Sequence, residues 1–222
     1  MTIQRAKLVV TYSSLFYYLA SSTGIVFMLT DIILKSIGKH ISLNDDEKAY
    51  FISLLHPKQL GRKQFLLKDG EVCKYSAFVN SGCLRGYTVD DNGQEHVMNF
   101  APVGWWIADM YSLISQKPGN LYIEAPEATE VLLLSKIKQD LLFHEIPKFE
   151  RFFRIITENS LVAYQQRIMD TLSLTAEERY NNFCKRYPTL INNLPKKDIA
   201  SYIGVTPEFF SRMIARLLRS SD

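Results

Sequence analysis

The chain has 222 residues and a mass of 25.6 kDa, enough for one large domain or two small ones with real cores. Apolar residues at 47% and charged residues at 22% are ordinary for a globular protein. A net charge of +3 excludes nucleic-acid binding by bulk charge, so any such affinity needs a local patch. The three cysteines, Cys73, Cys83 and Cys184, have no CxxC spacing and no nearby His, which excludes a zinc set; the odd, scattered count fits a reducing cytosol and buried thiols.

At the amino terminus, Leu8 to Thr30 is uncharged and long enough to span a bilayer, but Ser, Thr and Tyr thin its apolar content. It lacks the compact apolar core and the cleavage site of a signal peptide. Met28 offers a second start, because LTDIILKSIGKHI after it has the pattern of an amphipathic first helix. Residues 1–28 are therefore read as an extension with three open alternatives: a start assigned too far upstream, a packed or poorly structured extension, or a membrane segment if residues 8–30 insert. Two short helices follow up to about His56, with Ile33, Ile37 and Ile41 and then Ala49, Phe51, Ile52 and Leu55 as apolar positions. Ser42 preceding Asn44-Asp45-Asp46-Glu47 puts acids where a helix N-terminus wants them.

The pattern changes at Pro57. Up to about Ser135 come short β-rich runs, QFLLKDG, YSAFVNSG, CLRGYTV, HVMNFAPVGWW, NLYIEA and EVLLLS, bounded by turn signals at Asp69-Gly70, Ser81-Gly82, Asp91-Asn92-Gly93 and Pro118-Gly119. The spacing predicts an antiparallel sandwich or barrel, in which Cys73 and Cys83 are candidate neighbours across a hairpin. A short helix at Leu141 to His144 precedes a long one from Phe149 to Leu174, with Phe152, Phe153, Ile156, Val162, Ala163, Ile168, Met169 and Leu172 on a broad apolar face. Such a helix suits pairing with its copy in a second subunit.

Thr175-Ala-Glu-Glu178 is a capping box that starts another helix, with Tyr180, Phe183, Cys184 and Tyr187 on its apolar face and Pro188 as its stop. After Pro195, Ile199, Ala200, Tyr202 and Ile203 form the buried side of a helix that Gly204 ends; Thr206 then caps a second helix with Pro207 in its first position. Helix, glycine turn, helix is the helix-turn-helix pattern. In the second helix Phe210, Ile214 and Leu217 point inward, while Glu208, Ser211, Arg212, Ala215 and Arg219 share an outward face. Glu208 can accept from a cytosine amino group and Arg212 can bond a guanine bidentately; Ser211, Arg216 and Arg219 suit phosphates. With Thr206 and Pro207 these make the candidate DNA-binding set.

A β-rich region, a long helix and a terminal helix-turn-helix in this order resemble the Crp/Fnr family of bacterial transcription regulators, over about Leu29 to Leu218. KDGEVCKYSAFVNSGCLRGYTVDDNGQEHVMNFAPVGWW is similar to the family's glycine-punctuated β-roll, and IASYIGVTPEFFSRMIARL to its recognition segment, with Glu208 and Arg212 on the base-reading Glu and Arg. The resemblance implies an α+β fold. A β-roll (double-stranded β-helix or jelly roll) sensor over residues 29–147 would be followed by a dimerisation helix over 148–174 and a winged-helix-like helix-turn-helix over 175–222 that lacks most of its wing. It further implies a cytoplasmic homodimer on palindromic double-stranded DNA, contact with RNA polymerase, and a small-molecule effector. The phosphate cassette of cyclic-AMP-binding relatives falls on Ala108, Asp109 and Met110 and on Lys117, Gly119 and Asn120. Its arginine is missing, so no cofactor is assigned and cyclic AMP is not expected. Pro207 replaces the family's frequent neighbouring Arg, and the N-terminal cysteine cluster of the oxygen-sensing branch is absent.

Two other functions stay open at this point. A cyclic-nucleotide module acting through protein contacts is disfavoured by the missing arginine. A cupin-type enzyme needs clustered strand histidines, and His96 beside Glu95 is the one strand histidine read from the pattern; no catalytic constellation presents itself. His56, His96 and His144 are the material for a haem ligand, although a lone His is ordinarily a surface residue. Trp105, Trp106, Tyr111 and Tyr122 are either the wall of an effector pocket or core.

Overall fold

A computed structural model describes residues 25–219, which leaves most of the apolar amino-terminal stretch outside the described residues. Among the described residues no helix is long and apolar enough to cross a membrane. Helix α1 (Ile25–Gly38) contributes Ile33 and Ile37 to the core, and α2 (Asp45–Leu54) contributes Phe51 and Leu54. Asn44 caps α2: its side chain accepts from the Glu47 amide at 2.9 Å, and Glu47 accepts from the Asn44 amide at 2.8 Å.

Eight strands follow: β1 (His56–Leu60), β2 (Phe65–Leu67), β3 (Tyr75–Ser81), β4 (Cys83–Val89), β5 (Glu95–Pro102), β6 (Trp106–Ile107), β7 (Tyr122–Glu124) and β8 (Thr129–Ser135). They form two antiparallel four-stranded sheets, ordered β1-β8-β3-β6 and β2-β7-β4-β5. This is the expected β-roll. Strand β1 carries no alternation and contains Pro57, so the pattern did not reveal it; it runs along the edge of its sheet against β8, where a proline is tolerated. It also makes His56 a second strand histidine, in the opposite sheet from His96 on β5.

Helix α3 (Met110–Ser115) interrupts the strands, and α4 (Lys136–Glu145), capped by Ser135, is longer than the short helix expected. Then come α5 (Lys148–Ser173), 26 residues or about 39 Å long, α6 (Ala176–Arg186), α7 (Lys196–Ile203) and α8 (Pro207–Arg219). Among the described residues no strand follows β8.

Both sheets are covered on both faces, which explains why β3 and β4 are buried almost without alternation. Phe78, Leu132 and Leu134 on the outer face of the first sheet pack with Ile33, Ile37, Phe51, Phe149 and Phe152 from the helices; Phe51 and Phe149 stack at 4.9 Å. The interior holds Leu84, Ala101, Ile123, Val131 and Leu133. On the outer face of the second sheet, Cys83, Tyr87, Val97 and Phe100 share a core with Phe183, Tyr187, Ile199, Ile203 and Phe210 of the helix-turn-helix region. Cys73 belongs to the interior and Cys83 to this outer core, so the two are not cross-hairpin neighbours, and both are free thiols. Burial pushes the Cys83 thiol up to about 12, leaving it inert.

Two glycines carry the sharp turns that matter most. Gly82, between β3 and β4, has φ +78°, and a Cβ there would meet the Ala128 carbonyl at 2.5 Å. Gly204, between α7 and α8, has φ +74° but open space around it. Gly204→Ala is therefore expected to cost about 1 kcal/mol from backbone strain alone. Gly82→Ala is expected to cost about 3 kcal/mol or more, because strain and backbone overlap add. Denaturant unfolding of the two variants checks the order.

Candidate nucleic-acid interface

Helices α7 and α8 meet at the left-handed Gly204, whose amide bonds the Ser201 carbonyl at 3.1 Å. Thr206 caps α8 by accepting from the Phe209 amide at 3.2 Å, and Pro207 opens the helix. Phe210 and Met213 are buried, with Ile214 and Leu217 packed half-buried against them. Met213 is a core position that the Phe210-Ile214-Leu217 spacing does not include, three residues after Phe210 on the same buried side.

Thr206, Pro207, Glu208, Ser211, Arg212, Arg216 and Arg219 are all exposed. Glu208, Ser211, Arg212 and Arg219 stand opposite the buried side at helical spacing, so one acid and two guanidinium groups face solvent from one surface. Arg216 differs in that it pairs with Glu177 in the first turn of α6.

What holds this unit in place was not foreseen. Arg85, on the outer face of β4, is only 5% exposed and binds three carboxylates: Glu95 on β5 at 2.8 Å, Glu124 on β7 at 2.7 Å and Asp198 on α7 at 2.9 Å. Its guanidinium also lies 4.3 Å from the Tyr87 ring centroid. Burial opposes the charge on Arg85, but the hydrogen bonds to Glu95 and Glu124 outweigh it and hold the group above its ordinary range. Asp198 goes the other way: burial raises its carboxyl above the ordinary value, against the pull of Arg85 and Lys197.

Two further ties join the same elements. Ser201 on α7 donates to the Glu95 carbonyl at 2.8 Å and accepts from the Val97 amide at 2.9 Å, extending the edge of β5. Arg167 on α5 reaches the carbonyls of Val97 at 2.8 Å, Met98, and Tyr202 at 3.0 Å, and lies over the Tyr202 ring. A cleft of about 510 Å³ opens beside it between α5, α6 and α7, lined by Arg167, Asp170, Arg179, Lys185, Arg186 and Tyr202.

The expected effector residues are arranged differently from a phosphate site. Asp109 is buried and caps α3, accepting from the Ser112 amide at 3.0 Å. A Cβ on Gly119 would overlap its other oxygen, so the glycine packs directly against the carboxylate. Ser112 donates to the Lys117 carbonyl at 2.6 Å and accepts from the Cys73 amide at 2.8 Å. Ala108 is half-buried, while Met110, Lys117 and Asn120 are exposed. A cyclic phosphate brought here would face a buried acid and find no guanidinium, so these residues do not fit that group. Of the four aromatics read as pocket wall or core, Tyr111 is neither, being 63% exposed; Trp105 is also exposed, and Trp106 and Tyr122 are half-buried. Among the described residues no group of three His, Cys, Asp or Glu side chains converges as a metal site.

No family model matches the chain. It is 23% identical over 207 residues to the anaerobic regulatory protein of Haemophilus influenzae, covering 88% of this chain and 80% of the relative. It is 22% identical to the fumarate and nitrate reduction regulatory protein of Vibrio cholerae, over 90% of this chain and 84% of the relative. Among solved structures, FixK2 from Bradyrhizobium japonicum superposes with a TM-score of 0.66 at 20% identity, covering 75% of this chain and 86% of that one. The c-di-GMP responsive global regulator CLP of Xanthomonas campestris gives 0.65 at 14% identity, over 80% and 93% of the two chains.

Removing Arg85 leaves the buried carboxylates of Glu124 and Asp198 without their cation, beside a partly exposed Glu95 that keeps Lys197, which is expected to cost about 3–5 kcal/mol for Arg85→Met at pH 7. Without the guanidinium, folded-state carboxyl pKa values rise above unfolded ones, so the folded state binds extra protons. The deficit should therefore shrink as pH falls from about 7 toward about 4, and grow again as it rises. Asp198→Asn removes one of three negative charges yet keeps an oxygen for Arg85, so its cost should stay below about 1 kcal/mol. Thermal melts of both variants across that range are the check.

Proposed function

We propose that the chain is a transcription regulator of the Crp/Fnr type that acts as a cytoplasmic homodimer and reads a palindromic operator in double-stranded DNA through α8. It is a regulator rather than an enzyme. The observation that carries the DNA reading is the outward face of α8, where Glu208, Ser211 and Arg212 stand exposed on a helix whose opposite side is buried. Glu208 would accept from a cytosine amino group and Arg212 would bond a guanine in the major groove, with Thr206, Ser211, Arg216 and Arg219 on phosphates. Pro207 has no hydrogen-bonding side chain, so the position beside Glu208 gives no polar contact to a base. For Arg216 to reach a phosphate it has to leave Glu177.

Homodimerisation is supported by α5. Its first turns are buried against the helical layer through Phe149, Phe152 and Phe153, whereas Leu161, Val162, Ile168, Met169 and Leu172 are all more than half exposed. Spacings of seven, as between Leu161 and Ile168 and between Val162 and Met169, form the seam along which two such helices pair. Two copies related by a two-fold axis would present two α8 helices, hence the palindrome.

The domain division that fits this reading is a β-roll sensor over residues 29–147, a dimerisation helix over 148–174 and a DNA-binding unit over 175–222, with 1–28 an extension. The sensor takes an effector other than cyclic AMP, given the Asp109–Gly119 arrangement. No cofactor is assigned; the similarity to anaerobic regulators does not bring a cysteine cluster, since Cys73, Cys83 and Cys184 are the chain's three cysteines. Contact with RNA polymerase follows from the family resemblance alone.

Selection of bound fragments from random-sequence DNA tests the reading. The expected result is a palindrome with half-sites about one helical turn apart, in which Arg212→Ala relaxes one position per half-site and costs about 1–3 kcal/mol, with affinity falling steeply as salt rises. Enrichment of no sequence even at low salt would sink it. For the dimer, Ile168→Glu combined with Leu172→Glu should yield a folded monomer by sedimentation and remove the preference for a palindrome over a single half-site; an unchanged dimer would rule out the α5 seam.

A further inference from the structure

Within this DNA reading, the large apolar side chain in the first turn of α8 is left without a role. Phe209 is 44% exposed, belongs to none of the buried cores and makes no ring contact among the described residues. Its place is nevertheless fixed, because its amide donates to the capping hydroxyl of Thr206 in the first turn of the helix. At about 100° per residue, Phe209 lies some 60° around the helix from Arg212 and one turn before it, on the edge of the outward face that also carries Arg216. A large ring is thus held at the N-terminal end of the surface that would enter the major groove.

A phenyl ring has no donor or acceptor, so it can pair with neither a phosphate nor a polar base edge. The one apolar group that the major groove displays is the thymine C5-methyl, which side chains such as Phe read by contact. We propose that Phe209 is a specificity-determining residue that selects thymine at the base step beside the Arg212-dependent position, by burying its ring against that methyl. Pro207, which precedes Glu208 in the same turn, adds apolar surface to this end of the helix and no competing polar group. Positions 208, 209 and 212 then read one methyl and two polar base edges.

The test uses the full chain and the operator obtained by selection from random DNA. Each thymine of a half-site is replaced singly by uracil, which removes the methyl and keeps every hydrogen-bonding group. Burying one methyl is worth about a fourfold change in affinity. The expected result is a loss of about that size at a single thymine next to the Arg212-dependent base pair in the parent protein, and no loss at that thymine in Phe209→Ala, while Phe209→Leu keeps part of the sensitivity. Phe209 is exposed, and retention of the parent's melting temperature in both variants confirms that only the contact was changed. If uracil has the same effect on the parent and on Phe209→Ala at every position, or if the selected operator has no thymine beside the Arg212-dependent base pair, the inference is wrong while the reading of DNA by α8 stands. If no sequence is selected at all, both fall together.

Discussion

The guanidinium of Arg85 is the point on which the arrangement of the molecule turns. It sits on the outer face of a β-sheet that a helix-turn-helix covers, and it gathers carboxylates from two neighbouring strands and from α7. Even with the exposed Lys197 at 3.7 Å from Glu95, two positive charges face three negative ones, so the site is not a balanced ion pair. Its stability rests on the hydrogen bonds at 2.7–2.9 Å, on Tyr87 beneath the guanidinium, and on partial relief through the raised pKa of Asp198. Phe100, paired with Arg85 across the strands, packs in turn against Phe183, Tyr187 and Tyr202, so the same sheet face carries an aromatic layer beside the charged cluster. The β-roll and the helix-turn-helix share one core here, and α7 is bonded directly to β4 and β5.

Much of this was legible in the sequence where local chemistry decides the outcome. The Thr175–Glu178 capping box, the left-handed Gly204 and the Thr206-Pro207 start of α8 each use their own backbone partners, so a few adjacent residues are sufficient to reveal them. The glycines at the strand turns behave likewise. The six β-rich runs are all found as strands, with HVMNFAPVGWW divided between β5 and the start of β6. The order of these parts is what resembles the Crp/Fnr family.

What could not be read is what depends on distant residues. Arg85 stands in CLRGYTV as an ordinary polar position of an alternating strand, and nothing nearby shows that its face is covered by residues more than a hundred positions later. Strand β1 is held by β8 and not by its own composition. Cys73 and Cys83 look like hairpin neighbours, but they lie in different cores of the β-roll. The candidate effector residues were placed by resemblance; only the packing of Gly119 on Asp109 shows that this corner has become a self-contained polar knot rather than a phosphate cradle.

The tie made by Arg167 has one more consequence. Its acceptors are the main-chain carbonyls of Val97, Met98 and Tyr202, and Ser201 likewise bonds backbone groups of β5. The hydrogen bonds of this joint therefore follow the course of the chain, with the Tyr202 ring as the one acceptor side chain that Arg167 covers, and of the outward residues of α8 only Arg216, through Glu177, has an ion-pair partner among the described residues. If α8 reads DNA as proposed, attachment and address are written in separate residues, and a lineage carrying this fold can move to a new set of promoters by changing a few exposed positions on α8, without renegotiating the packing that keeps the helix where it is.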